Sequence, residues 1–259
     1  MKRKPITIIK YGPPASGKSS EFVKKKIKEI LNTEQNIPTQ TNMTTFKKSY
    51  KPKNEQPRIL VNINMNTPIE KNSEYVKSTK EMQETIKSKL NVKNNSTHYL
   101  NYLTEKDTSA MLNLYKYYAK SVYNLANKEF KEANKKGVDV DVIIETTGQH
   151  GRPTWLKIRQ YREYHIIFPI ISFETLWKRY KNRANKGPVF RILSTKEQLR
   201  EVYINSYTEF LKNYLNNSGF NVHVLNNEGN EGTFLEKNEA NEKITALIQN
   251  ARSQNNTKK

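Results

Sequence analysis

The chain has no cysteine, so disulfides, thiolate metal sites and a cysteine nucleophile are all excluded. Its four histidines, His98, His150, His165 and His223, are scattered without ligand spacing, and no structural metal is expected. Long apolar runs are also missing. The longest, Ile166 to Ile171, falls far short of the ~20 residues that cross a bilayer. The start, Lys2-Arg3-Lys4 before Ile6-Thr7-Ile8-Ile9, has the outline of a signal peptide, but its apolar part is too short and Lys10 interrupts it. The chain therefore reads as soluble and cytoplasmic, with no membrane partner. Acidic residues are in deficit: 25 Asp and Glu against 45 Lys and Arg leave a net charge of +20. A charge of that size makes nucleic acid a candidate partner. The lysines, however, are spread along an Asn- and Lys-rich chain, and no alternation of basic and aromatic residues marks a base-stacking surface.

Glycine is scarce too, with nine in 259 residues, which makes two within one short run informative. Gly12-Pro13-Pro14-Ala15-Ser16-Gly17-Lys18-Ser19 directly follows the apolar stretch Ile6–Ile9. This is G-x-x-x-x-G-K-[ST], the phosphate-loop pattern, between a predicted strand and a predicted helix. Glycines let such a loop turn tightly, so that successive N–H groups point inward at an anion, and the following helix adds the positive end of its dipole. Gly12, Pro13, Ala15, Ser16, Gly17, Lys18, Ser19 and Ser20 are the expected nucleotide-contacting residues. Lys18 would reach the β- and γ-phosphates and the Ser19 hydroxyl would hold Mg²⁺. The expected ligand is ATP, with GTP as the alternative.

The rest of the chain alternates. Strands are predicted at Ile6–Tyr11, Arg58–Ile63, Val138–Thr146, His165–Ile171 and Asn221–Leu225. Helices are predicted at Lys18–Leu31, Ser73–Leu90, a long segment beginning near Thr108 or Ser109 and ending by Gly137, a segment from Pro153 to about Arg162, Phe173–Lys186, and one from a Ser194/Glu197 capping box to Asn217. Two polar stretches, 32–57 and 91–107, read as irregular insertions. Strands alternating with helices argue for an α/β fold: a doubly wound parallel sheet of about five strands with helices on both faces. Residues 1–235 would form this single domain, and 236–259 a weakly helical to disordered basic tail.

Two further groups of residues carry chemistry. Val142-Ile143-Ile144-Glu145-Thr146-Thr147-Gly148 is an apolar strand ending in an acid, which beside a phosphate loop places Glu145 near Mg²⁺ and the γ-phosphate. Arg179 and Arg183 are four apart on a predicted helix and share a face, with Arg191 beyond the Gly187-Pro188 break. Such an arginine-rich segment can close over a nucleotide and neutralise the transferring phosphoryl group. A solvated basic face would show the same spacing.

These residues together resemble the zeta-toxin-like P-loop kinases. The resemblance covers the first strand and loop, then most of Val138 to Gly229. The family's Glu-x-Thr after a strand is matched by Glu145-Thr146-Thr147, its Arg-Tyr pair on a lid helix by Arg179-Tyr180, and its second arginine by Arg191. The resemblance implies a kinase sheet, transfer of the ATP γ-phosphate to a hydroxyl of a small molecule such as a UDP-activated amino sugar, and an antitoxin-like protein partner. The family's catalytic aspartate, just after the second strand, has no match: Asn64 and Asn66 stand there, and an amide cannot take a proton as a carboxylate does. Gln149 replaces a basic residue that often follows the Glu-x-Thr motif, with Arg152 close by. The resemblance thus implies catalytic roles for Lys18, Glu145, Arg179, Arg191 and the Asn64/Asn66 positions, and acceptor contacts from Glu145, Thr147, Gln149, Arg152 and Glu70. Three readings stay open: an active small-molecule kinase with Glu70, Glu74 or Glu145 in place of the aspartate; a nucleotide or nucleic-acid 5′-end kinase; and an ATP-binding but catalytically impaired switch or scaffold.

Overall fold

Every residue of Ile6–Tyr11 is buried, the pattern of a strand with a neighbour on each side and helices on both faces. The computed structural model describes residues 3–37, 47–63, 69, 72–89, 91, 103–135, 140–147, 161–185, 194–229 and 231–253. In chain order its elements are β1 (Ile6–Tyr11), α1 (Glu21–Leu31), β2 (Lys47–Tyr50), β3 (Arg58–Ile63), α2 (Ser73–Lys89), α3 (Glu105–Lys135), β4 (Val140–Thr146), β5 (Glu163–Ile170), α4 (Phe173–Asn185), α5 (Lys196–Phe210), β6 (Asn221–Asn226), β7 (Thr233–Leu235) and α6 (Lys237–Ser253). A π-helical turn, Leu211–Leu215, continues α5.

The fold is α/β, with a seven-stranded sheet in the order β2-β3-β4-β1-β5-β6-β7. The inner five strands are parallel, and β2 and β7 close the edges antiparallel. The sheet is therefore wider than the five strands read from the sequence. Both extra strands are short, and β2 (Lys-Lys-Ser-Tyr) lies inside the polar stretch expected to be irregular. What makes it a strand is its pairing with β3, which no local pattern announces.

The two faces are covered unequally. Val23, Ile27 and Leu31 of α1 pack with Ile6, Ile8, Leu60, Ile143, Ile167 and Leu225 on one face. Buried residues of α2 to α6 join the cluster on the other, which includes Ile9, Tyr11, Val142, Ile144, Phe168 and Ile170. On that second face Tyr203 and Tyr207, one turn apart on α5, both donate to the Ile171 carbonyl, and the Tyr207 hydroxyl accepts from the Ile171 N–H. This fixes the chain where it leaves β5 for α4.

A buried ionic cluster ties the opposite edge, where the strands begin. Asp141 is fully buried and accepts from Arg58 Nε and Nη2 (2.6 and 3.2 Å), Arg3 Nη2 (2.9 Å), the Tyr50 hydroxyl and the Ile6 N–H (2.6 Å). Arg162 sits beside it and donates to the Thr7 hydroxyl and the Ile6 and Val140 carbonyls. The starts of β1, β3 and β4 are thereby locked in register.

Helix boundaries differ from the sequence reading at four places. α1 starts at Glu21, not Lys18, because Ser20 is extended and its hydroxyl caps the Val23 N–H. α3 starts at Glu105 under a reciprocal Thr104/Asp107 cap rather than at Thr108 or Ser109. The capping box of α5 is Thr195/Gln198, one residue after the Ser194/Glu197 pair. The stretch after Glu236 is a full helix, α6, whose Ala240, Ile244, Ile248 and Ala251 are buried in the core. The predicted helix from Pro153, the Gly137 stop and the last six residues fall on or beside residues outside those described. Among the described residues no helix is long and apolar enough to cross a membrane.

Candidate functional site

The loop between β1 and α1 leaves the carboxyl end of the central strand. Gly12 (φ +131) and Gly17 (φ +103) take conformations that L side chains rarely adopt, and Ala15 (φ +64) is left-handed without being glycine. A side chain at Gly12 would press on the Phe168 ring, and one at Gly17 would strike the Asn227 amide. The Gly12 N–H donates to the Thr146 carbonyl, fastening the loop's entry to β4. Ser16 Oγ is buried within the loop and has no hydrogen-bond partner among the described residues.

Lys18 is buried, and its Nζ folds back over the loop to donate to the carbonyls of Gly12 (2.6 Å) and Pro13 (2.9 Å). Glu145 Oε1 stands 4.0 Å from the same ammonium, and Glu145 Oε2 accepts from Lys10 Nζ at 2.7 Å. Lys10 and Glu145 face each other across the β1–β4 ladder, so the pair follows from strand register. A carboxylate between two buried ammonium groups is oriented by both. Thr147 follows at the end of β4, where its carbonyl accepts from Ser206 Oγ of α5 (2.7 Å).

The β6 end supplies the third side. Asn227 follows β6 and is buried. Its Nδ2 donates to the Ser16 carbonyl (2.8 Å), and its own carbonyl accepts from Arg179 Nη2 (3.0 Å). Glu228, the next residue, accepts from the Ser172 N–H and hydroxyl and from the Thr175 hydroxyl, and so caps the start of α4. Burial works against the charged carboxylate of Glu228, but these hydrogen bonds and nearby Arg179 hold its pKa below the usual range.

The structure thus brings the loop, Lys18, Glu145, Thr147 and Arg179 to one end of the sheet. Ser19 is exposed at the loop's end, and Arg183 is turned to solvent rather than inward with Arg179. Asn64, Asn66, Glu70, Gln149, Arg152 and Arg191 lie outside the described residues, as does Gly148. Sequence reasoning missed Lys10, Asn227, Glu228 and Ser206. Lys10 left a trace, being the one charge in an otherwise uncharged strand. Asn227 left none, because its partner lies 211 residues away. Among the described residues no group of three or more His, Asp or Glu could hold a metal ion. No protein-family model matches the chain, and no curated protein matches it either.

Proposed function

We propose that the chain is a P-loop phosphotransferase that binds ATP in the Gly12–Ser20 loop and passes its γ-phosphate to a hydroxyl of a small molecule. The observation that carries this reading is the placement of Lys18: a buried ammonium folded over a left-handed loop, at the carboxyl end of the central parallel strand, facing Glu145. Ligands of open α/β sheets bind at that edge. Lys18 would turn from the loop carbonyls to the β- and γ-phosphate oxygens, Arg179 would neutralise charge on the transferring group, and Glu145, anchored by Lys10, would face the metal and the acceptor.

Mg²⁺ takes few protein ligands and keeps water and phosphate oxygens around it, so the Ser19 hydroxyl and the Glu145 carboxylate would be the hard-oxygen donors offered to it. The ion would supply charge neutralisation between the β- and γ-phosphates. GTP would fit the same loop. The kinship we propose is with the zeta-toxin-like kinases, on Glu145-Thr146-Thr147, Arg179-Tyr180 and Arg191. A UDP-sugar is the first acceptor to try.

The direct test is Lys18→Ala, which should remove ATP binding measured by calorimetry. Unchanged affinity would sink the reading. Labelled γ-ATP offered with UDP-sugars, nucleosides and 5′-hydroxyl oligonucleotides then identifies the acceptor, and label on oligonucleotides alone would make this a nucleic-acid 5′-end kinase.

A second reading, an ATP-binding switch with little turnover, is favoured by one specific feature. Asn64 and Asn66 replace the family's aspartate, and Glu145, the best placed described carboxylate, is already engaged by Lys10. If the amides disable transfer, Asn64→Asp or Asn66→Asp should raise it about tenfold or more, the usual full worth of a general base being about 10²–10⁴-fold. No gain from either would assign the base elsewhere.

A further inference from the structure

We infer that Asn227 is a positioning residue that holds the Gly12–Ser20 loop and the Arg179-bearing helix in one register. Three of its groups point three ways. Its N–H donates to the Ile170 carbonyl at the end of β5 (2.9 Å), its carbonyl accepts from Arg179 Nη2 (3.0 Å), and its side-chain Nδ2 donates to the Ser16 carbonyl (2.8 Å). The Ser16 carbonyl can only accept, which fixes the amide orientation: nitrogen toward the loop.

The loop is built around this contact. A Cβ on Gly17 would lie 2.0 Å from Asn227 Nδ2, so the missing side chain makes room for the amide. The contact is buried, where an unmade hydrogen bond is costly. Glu228 adds the second tie, holding the Ser172–Thr175 turn that opens α4. Among the described residues, Asn227 thus links Arg179 to the loop. A change of the Ser16–Gly17 peptide on ligand binding would be felt at Arg179, and movement of α4 would be felt in the loop.

The first test needs no ligand. Asn227→Ala keeps both backbone hydrogen bonds and removes only the amide. Amide hydrogen exchange should quicken roughly tenfold, the worth of one buried hydrogen bond, both in residues 15–19 and in 173–179, while β3 and α6 keep wild-type rates. Acceleration in only one segment, or in neither, would overturn the assignment. If Asn227→Ala does not fold, Arg179→Met carries the test: Arg179 touches the Asn227 carbonyl, and its loss should quicken exchange in 15–19. Unchanged loop exchange would overturn the proposal.

A second test rests on the ATP reading and separates its failure from this one. Trp155→Phe leaves Trp177, on α4 two residues before Arg179, as the only indole. ATP should change its emission with Asn227 present and should bind without that change in Asn227→Ala. An equal change in both proteins overturns the coupling. Failure of ATP to bind the parent protein overturns the proposed function and leaves the exchange result to decide Asn227.

Discussion

Gly17 is glycine for two separable reasons: a backbone angle of +103° and the Asn227 amide that fills the space beside it. Gly17→Ala should cost roughly 1–3 kcal/mol from strain alone and more from the clash. Urea unfolding of Gly17→Ala with and without Asn227→Ala separates the two, since only the steric part is relieved in the double variant. Asp141 gives a larger expectation. Asp141→Ala leaves Arg58 buried without its carboxylate and should destabilise by about 3–5 kcal/mol in the same measurement, without reference to nucleotide. At this scale legibility depends on distance along the chain. The loop residues and Glu145 stand where a few neighbouring letters of sequence put them, at the carboxyl ends of adjacent strands. Asn227, Ser206 and Lys10 owe their positions to strand order and to contacts 211, 59 and 135 residues away along the chain, which no local window contains.

Helices and inner strands were readable as elements, because burial imposes periodicity on them whatever their neighbours do. Ile6–Tyr11 and Arg58–Ile63 fall where the apolar pattern puts them. Caps were less readable, since adjacent polar residues compete for one geometry. At α5 the winner is Thr195 with Gln198. Thr195→Ala should therefore lose about 1 kcal/mol, whereas Ser194→Ala should lie within experimental error of the parent, both by thermal unfolding. The edge strands β2 and β7 could not be seen at all, because four and three residues are too few to show a period. α6 was underrated for a different cause. Its stripe is small, Ala240, Ile244, Ile248 and Ala251, yet all four are buried. Ile244→Ala should cost about 2–5 kcal/mol, which a disordered tail would not show.

At the scale of the whole molecule, a histidine pair near the amino ends of β5 and β6 sets an acid limit. His165 and His223 stack, with Nδ1 of one 3.1 Å from Nε2 of the other, and Glu163 holds the far side of His165 at 2.8 Å. Burial, then His165 and Lys26, push His223 down to about 4, and burial also lowers His165 despite Glu163. The unfolded chain takes up these protons nearer 6.5, so it binds more of them between the two values. Stability from neutral His223 is full above about 6.5 and is lost as pH falls toward about 4. The urea midpoint should drop over that window, and His223→Gln should flatten the slope relative to the parent.

The central place of β1 has a consequence for synthesis. Its neighbours in the sheet are β4 and β5, which begin at residues 140 and 163. Of the described strands, β1 is made before the others and waits longest for its partners. At about 5–20 residues per second that wait is on the order of ten seconds, with an apolar, β-forming segment open along both edges. The strand that carries the Gly12–Ser20 loop is therefore also where a chaperone, or a neighbouring nascent chain, would take hold.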